Sequence, residues 1–109
     1  MAVQVQNIFS HMPVPDGQEQ FVTLLQNNYM TIERIVSHGH SSPPGFWYDQ
    51  AEDEWVIVLR GQATLEFEGD ECVELREGDF LTVPRHVKHR VQETGPQTVW
   101  LAVKIALPT

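Results

Sequence analysis

The amino-acid sequence predicts an all-β fold, either a small barrel or a double-sheet jelly roll. In short runs, apolar residues recur at every second position, which is the period of a strand with one buried face. Glycine, proline and aspartate separate these runs, and no segment long enough for a helix has the helical period. Antiparallel strands joined by such turns typically close into a barrel or a jelly roll.

The alternation predicts roughly eight to ten strands. The alternating runs cover residues 29–38, 54–60, 63–67, 73–75, 87–91 and 99–107, and a short strand is expected at 80–83, before Pro84. The apolar cluster at 20–26 is interpreted as a strand, with one helical turn as the alternative. Residues 1–19 are expected to provide an edge strand and a turn. Residues 41–53 contain two prolines and a glycine in succession, and are expected to form a lid-like loop.

The size and charge of the chain limit the classes of function. The 109 residues fit a single domain, 1–109, with a core barrel at about 20–107. The net charge of −8 argues against a nucleic-acid or anionic-membrane partner. No secretory signal or membrane span is recognised, so a cytoplasmic location is expected. A domain this small buries only about two-thirds of its unfolded surface, which favours a homodimer.

Four side chains suggest a metal site. His38 and His40 are separated by one residue, so on a strand their rings lie on the same face, where both can reach one ion. Glu54 and His89 also share the predicted inward parity of their strands. The alternatives are two surface histidines at a strand end, a solvated Glu54 in an acidic loop, and a core His89 bonded to the backbone.

These residues resemble the two motifs of the cupin superfamily. The matching elements span about residues 30–92, and they are the His38-Gly39-His40 triplet, Glu54 followed by Gly61 after six residues, and Gly78-x5-Pro84-x4-His89. The resemblance implies a double-stranded β-helix in which His38, His40, Glu54 and His89 bind one divalent transition metal per chain. Such a ligand set suits Fe, Mn, Ni, Zn, Co or Cu.

One spacing departs from the family pattern. The family usually has roughly three or four residues between its second histidine and its glutamate, whereas thirteen residues separate His40 from Glu54 here. Asp49, Glu52 and Asp53 therefore compete with Glu54 as the carboxylate ligand.

Residues for substrate binding are expected in the loop and on the second strand. Phe46, Trp47 and Tyr48 would cover the barrel mouth and give an apolar wall, unless the loop packs outside or on a partner subunit. Arg34 would anchor a substrate carboxylate, unless it pairs with Glu66 or another acid.

The combined interpretation is a metal-binding barrel that acts on a small organic molecule, as an enzyme of oxygenase or isomerase type. The alternatives are a non-catalytic barrel that binds or senses a small ligand or metal, and a degenerate barrel kept for assembly. No dedicated general base stands out in the sequence, so the pattern leaves catalysis open.

Overall fold

The computed structural model describes residues 2–106, which form eight antiparallel strands and no helix. Each strand coincides with one of the predicted strands, with ends that shift by one or a few residues. The strands are β1 Gln20–Gln26, β2 Met30–Ser37, β3 Asp53–Arg60, β4 Gln62–Phe67, β5 Glu71–Arg76, β6 Phe80–Val83, β7 His89–Thr94 and β8 Thr98–Ile105. Residue 107, the predicted end of the barrel, lies outside the described residues.

The strands form two sheets, which confirms the predicted all-β jelly roll. One sheet has the order β1-β2-β8-β3-β6, and the other has the order β5-β4-β7. Alternate side chains of both sheets meet in a core that includes Val56, Val58, Leu65, Leu75 and Trp100. The packing follows from period-two alternation, because each strand contributes every second residue to the interior.

The N-terminal residues do not form the predicted edge strand. Residues 2–19 contain no strand. Instead Arg34 donates hydrogen bonds to the backbone oxygens of Ile8, Ser10 and His11, at 3.2, 2.7 and 3.4 Å. The segment is therefore attached to the outside of β2 by a side chain, and not by a backbone ladder.

Strand β2 faces the opposite way from the prediction. Glu33 and Ile35 line the barrel interior, whereas Arg34 faces outward beneath the N-terminal segment. Val36 and Ser37 are both completely buried. Because both faces of this strand are covered near its end, the apolar residues do not distinguish its inner face from its outer one, and the predicted parity is wrong by one residue.

The 41–53 segment runs back along the edge of β7 toward the barrel mouth. The Ser42 amide donates to the Val91 oxygen at 2.8 Å, and Tyr48 and His89 exchange two backbone hydrogen bonds of 2.7 and 3.1 Å. Arg90 donates to the Ser42 oxygen at 2.7 Å. The segment is thus attached to β7 on both sides of the exposed Pro43-Pro44-Gly45 bend.

The outer face of the five-stranded sheet is rich in apolar side chains. Trp55 packs against Phe80, with ring centroids 5.5 Å apart, and Phe80 is 62% exposed. The homodimer expected from the sequence stays a prediction, and this face is where we would expect it. Residues 2–106 include no helix that is long and apolar enough to span a membrane.

Candidate functional site

A small cavity opens into the barrel between the two sheets. Its volume is about 110 Å³, somewhat below the roughly 150 Å³ of an engineered protein cavity that accepts benzene. Most of its wall is apolar, and the polar side chains converge from several strands. The polar and charged lining residues are Glu19, Glu33, Tyr48, Gln50, Glu54, His89, Trp100 and Lys104.

Glu54 is the buried carboxylate of this cavity. It lies near the start of β3 and is only 9% exposed. Its nearest ionisable neighbour among the described residues is His89, whose Nε2 is 3.9 Å from Oε1, which is too long for a hydrogen bond. Burial raises the pKa of Glu54, as do Glu33 and Glu52, while Lys104 and His89 oppose the shift. The inward orientation is the one that its strand parity predicted.

His89 faces Glu54 from the opposing sheet. It is 5% exposed, and its Nδ1 lies 3.0 Å from the Val87 backbone oxygen. With a proton on Nδ1, the ring donates to that oxygen, and its Nε2 faces the cavity. Tyr48 stacks on the ring with centroids 5.4 Å apart, and Phe67 lies at 6.1 Å. The ring is thus held in one orientation beside the carboxylate.

Tyr48 and Gln50 enter the cavity from the 41–53 segment. The two residues are one apart in a stretch whose backbone bonds to the chain at His86 and His89, so they share a face. Asp49, which lies between them, faces outward, and its Oδ1 is 2.8 Å from Nδ1 of the exposed His86. Burial raises the pKa of the Tyr48 hydroxyl, and Glu19 and Glu54 raise it further.

Three further charged residues of the cavity were missed by the sequence analysis. Lys104 of β8 pairs with Glu33 of β2 at 3.2 Å. Glu19 accepts a 2.5 Å hydrogen bond from the Ser37 hydroxyl. The inverted parity of β2 concealed Glu33, whereas nothing in the alternation of residues near Glu19 marked it as a cavity residue.

His38 and His40 lie toward the other end of the barrel and do not line the cavity. Glu54 and Thr31 are both paired with Lys104. His38 is seven residues beyond Thr31 and just past the end of β2, up to about 23 Å away in the strand direction. The His40 oxygen accepts a 2.7 Å hydrogen bond from Thr94, the last residue of β7. The sequence predicted that both imidazoles face the ion beside Glu54. That prediction is wrong, because β2 faces the opposite way from the one predicted.

The competing acids of the loop are also engaged elsewhere. Asp49 is bound to His86 on the outside, and Asp53 accepts a 2.9 Å hydrogen bond from the Arg85 amide. Glu52 does not line the cavity. Among the carboxylates weighed from the sequence, Glu54 is the one that the structure places inside.

Of the four predicted substrate-binding residues, one lines the cavity and three do not. Tyr48 lines the cavity, but Trp47 and Phe46 do not. Phe46 is 44% exposed and packs edge-on against Tyr48, with centroids 4.9 Å apart. Arg34 lies outside the barrel, bonded to backbone oxygens and to the Gln20 side chain at 3.0 Å. It is therefore not a substrate anchor in this cavity, and Glu66 pairs with Arg90 instead.

The predicted metal ligands do not fit one metal centre in this arrangement. Within residues 2–106, no three histidine, cysteine, aspartate or glutamate side chains come together as a metal would require. Glu54 and His89 are adjacent, but the Nε2 atoms of His38 and His40 are buried without a hydrogen-bond partner elsewhere. The cavity and the His-x-His pair are thus separate features.

Comparison with known proteins identifies the class of the fold. Residues 32–104 match the Cupin domain family, so this chain belongs to the cupins. A search of curated proteins gives no match.

Solved structures agree with that assignment. A crystal structure from Ralstonia eutropha JMP134, of a protein provisionally named a mannose-6-phosphate isomerase, is 46% identical with a TM-score of 0.91, covering 96% of this chain and 100% of that one. A cupin superfamily protein from Desulfitobacterium hafniense DCB-2 is 21% identical with a TM-score of 0.76, covering 88% and 84%. A double-stranded β-helix cupin from Methanocaldococcus jannaschii is 21% identical with a TM-score of 0.72, covering 97% and 93%. The last two are similar in fold alone.

Proposed function

We propose that this cupin binds a small organic molecule in the barrel cavity, where Glu54 and His89 recognise it and exchange a proton with it. The observation that carries the proposal is the Glu54 carboxylate. Its side chain is only 11% exposed, and it receives no hydrogen bond from the described residues. A buried carboxylate without a partner is costly. Its retention at the opening of a cavity is explained if a ligand supplies the missing donor.

The paired groups suit an isomerase-type proton transfer. A carboxylate can take a proton from a hydroxyl-bearing carbon next to a carbonyl, while a neighbouring imidazolium gives the proton on its Nε2 to the carbonyl oxygen. The neutral imidazole then takes the proton of the adjacent hydroxyl, and the carboxyl group returns its proton to the former carbonyl carbon. The similar Ralstonia protein is named for an isomerisation of this kind. The oxygenase-type reaction also expected from the sequence would need a metal centre, which the described side chains do not assemble.

The charge of the cavity argues for a substrate other than a phosphorylated sugar. Three carboxylates line it, those of Glu19, Glu33 and Glu54, but only one amine, that of Lys104. Lys104 is already paired with Glu33 at 3.2 Å. A phosphate dianion would enter beside carboxylates without a free cation to receive it. We therefore propose a neutral or cationic ligand, such as an uncharged sugar, a hydroxyketone or an amine.

A matched ligand panel tests the proposal. Calorimetry or thermal shift would compare mannose, an amino sugar and small hydroxyketones with mannose 6-phosphate. We expect at least one uncharged or cationic compound to bind more tightly than the phosphate ester, and Glu54→Gln to weaken that binding by about tenfold or more. Glu68→Gln, an exposed carboxylate, is the control and should bind like the parent. No binding across the panel, or equal binding by both variants, would refute the proposal.

A second experiment on the same proteins distinguishes an enzyme from a non-catalytic binding protein. A bound hydroxyketone in D₂O is followed by NMR for exchange of the hydrogen next to its carbonyl. Exchange that Glu54→Gln abolishes indicates catalysis by proton transfer. Binding without exchange identifies the non-catalytic barrel, which was the alternative from the sequence.

A further inference from the structure

We infer that Tyr48 and Gln50 occupy the two positions where the cupin motif has its metal-binding histidines, so that this cavity works without a metal ion held by the protein. Because it concerns the same cavity, the inference rests on the proposed function. It also explains why a chain with a His-x-His pair and a family glutamate does not assemble these residues into one centre.

The first support is spacing from a fixed point. Glu54 and Gly61 are separated by six residues, as in the family motif, and both occupy the expected places, in β3 and in the turn after it. Counting back from Glu54 with three intervening residues reaches Gln50, and one further intervening residue leads to Tyr48. The pattern Tyr-x-Gln-x3-Glu-x6-Gly therefore has the family spacing. The thirteen residues between His40 and Glu54 exceed that spacing by about ten.

The second support is position. Tyr48, Gln50, Glu54 and His89 all line one cavity, and they come from the two chain segments that carry the two motifs. Tyr48 is the backbone partner of His89 and stacks on its ring. Asp49 faces the solvent and bonds to exposed His86, so the segment has strand-like alternation at these positions. The tyrosine and the glutamine thus face the interior, where a pair of histidines would have converged on an ion.

The third support is the chemistry of the substituted groups. A phenol and a primary amide are not among the usual protein ligands of zinc or similar divalent metals, whereas imidazole, thiolate and carboxylate are. At the motif positions only Glu54 and His89 are such groups, and within residues 2–106 no third histidine, cysteine, aspartate or glutamate joins them, whereas zinc sites use three or four. Tyr48 and Gln50 instead add hydroxyl and amide groups that donate and accept hydrogen bonds. They are suited to the hydroxyl, carbonyl or amine groups of an organic ligand.

Restoring the two histidines tests this directly. Untagged parent protein and a Tyr48→His, Gln50→His double variant are incubated with Co²⁺ or Zn²⁺, desalted and analysed for metal. We expect the parent to retain less than about a tenth of an ion per chain and the double variant about one, with the Co²⁺ absorption bands of a site with three nitrogen ligands. Adding His89→Ala to the double variant should remove most of that binding, whereas adding His38→Ala and His40→Ala should not.

Several outcomes would overturn the inference. One is a parent that retains about one ion per chain, particularly if His38→Ala and His40→Ala remove it. Another is a folded double variant that retains no more metal than the parent. If the double variant fails to fold by circular dichroism, Tyr48→His or Gln50→His alone still creates a three-ligand site, and either variant decides the question by the same measurement. Metal in the parent together with Glu54-dependent ligand binding refutes this inference alone, whereas failure of the ligand panel refutes the proposed function alone.

Discussion

The two ends of the barrel both hold histidine, but of these described residues only the buried His89 lines the cavity, whereas His38 and His40 are half-buried and do not. At the mouth, Nε2 of His89 faces the Glu54 carboxylate at 3.9 Å and the ring is fixed by Tyr48 and the Val87 oxygen. Toward the other end, the His38 amide donates to His40 Nδ1 at 2.8 Å, so the second ring bonds to its own local backbone. The first arrangement leaves reactive atoms facing open space, whereas the second uses a ring nitrogen to stabilise a turn.

The comparison shows that position in the strand register matters more than residue identity. His38 and His40 have the residue types of a metal motif, but they lie past the end of β2, far from the level of Glu54. Tyr48 and Gln50 lack those residue types, but they have the spacing and the orientation. The contrast predicts that substitutions at the far end change stability without changing binding, and that substitutions at the mouth change binding most.

The largest effect on stability is expected for Gly61→Ala, in the turn between β3 and β4. Gly61 has a φ of +89°, and an added Cβ would lie 2.5 Å from the Gln97 oxygen and 2.9 Å from the Thr98 Cα. The left-handed conformation costs about 1–2 kcal/mol, and the backbone clash adds about 1–3 kcal/mol. We expect a loss of about 3 kcal/mol or more in the free energy of unfolding, measured by urea denaturation.

Gly69→Ala is the matched control for that substitution. Gly69 has a similar φ of +96°, but an added Cβ would meet nothing within 4 Å. Only the conformational cost of about 1–2 kcal/mol should appear. Equal losses in the two variants would show that the close approach of Gly61 to the 97–98 backbone is not what requires glycine there.

A smaller effect, of opposite sign, is expected for Glu54→Gln at the mouth. Burial raises the pKa of Glu54 in the folded state, so folding favours the protonated carboxyl, and the stability that this contributes is lost as the pH rises through the folded-state pKa. At pH 7, which is above the ordinary glutamate pKa of 4.5, the burial of this group therefore makes the fold less stable than it is at low pH. Replacing this group with a neutral amide should raise the free energy of unfolding by about 1–2 kcal/mol, while the ligand affinity falls by about tenfold or more.

The pH dependence distinguishes this explanation from a general packing effect. Below the ordinary glutamate pKa of 4.5, the parent is protonated in both folded and unfolded states, so the advantage of Glu54→Gln should disappear. Thermal melts of both proteins at pH 7 and at about pH 3.5 measure the difference. A variant that is less stable than the parent at pH 7, or equally more stable at both values, would contradict the assignment of Glu54 as a buried charge.

The fold was predictable from the sequence because nearly every strand has one wet face. Alternation located most of the strands, whereas β1 was inferred from an apolar cluster and β6 from the position of Pro84. Alternation also oriented Glu54 and His89 correctly, because their neighbours Val56 and Val91 also line the cavity. It failed at β2, where Val36 and Ser37 are both completely buried. A strand covered on both sides gives no signal in its hydrophobic pattern of which face is inside.

The candidate site was only partly predictable from the sequence. The histidine pair was weighted by residue type, although the thirteen residues between His40 and Glu54 already departed from the family spacing. Counting back from Glu54 would have found Gln50 and Tyr48 without a structure. Lys104 was not accessible in this way, because its place in the cavity depends on the pairing of β8 with both β2 and β3.

The smallest effect is expected for His40→Ala, and it provides the sharpest comparison of the two ends. The substitution removes the acceptor of the 2.8 Å bond from the His38 amide, which is worth about 1 kcal/mol. We expect a loss of that size in the free energy of unfolding, and an affinity for the tightest compound of the ligand panel within about twofold of the parent value. The ligand affinity is measured by calorimetry beside Glu54→Gln. If His40→Ala weakened ligand binding as much as Glu54→Gln does, the far end would have to be part of the site, and the separation of the two histidine regions would be wrong.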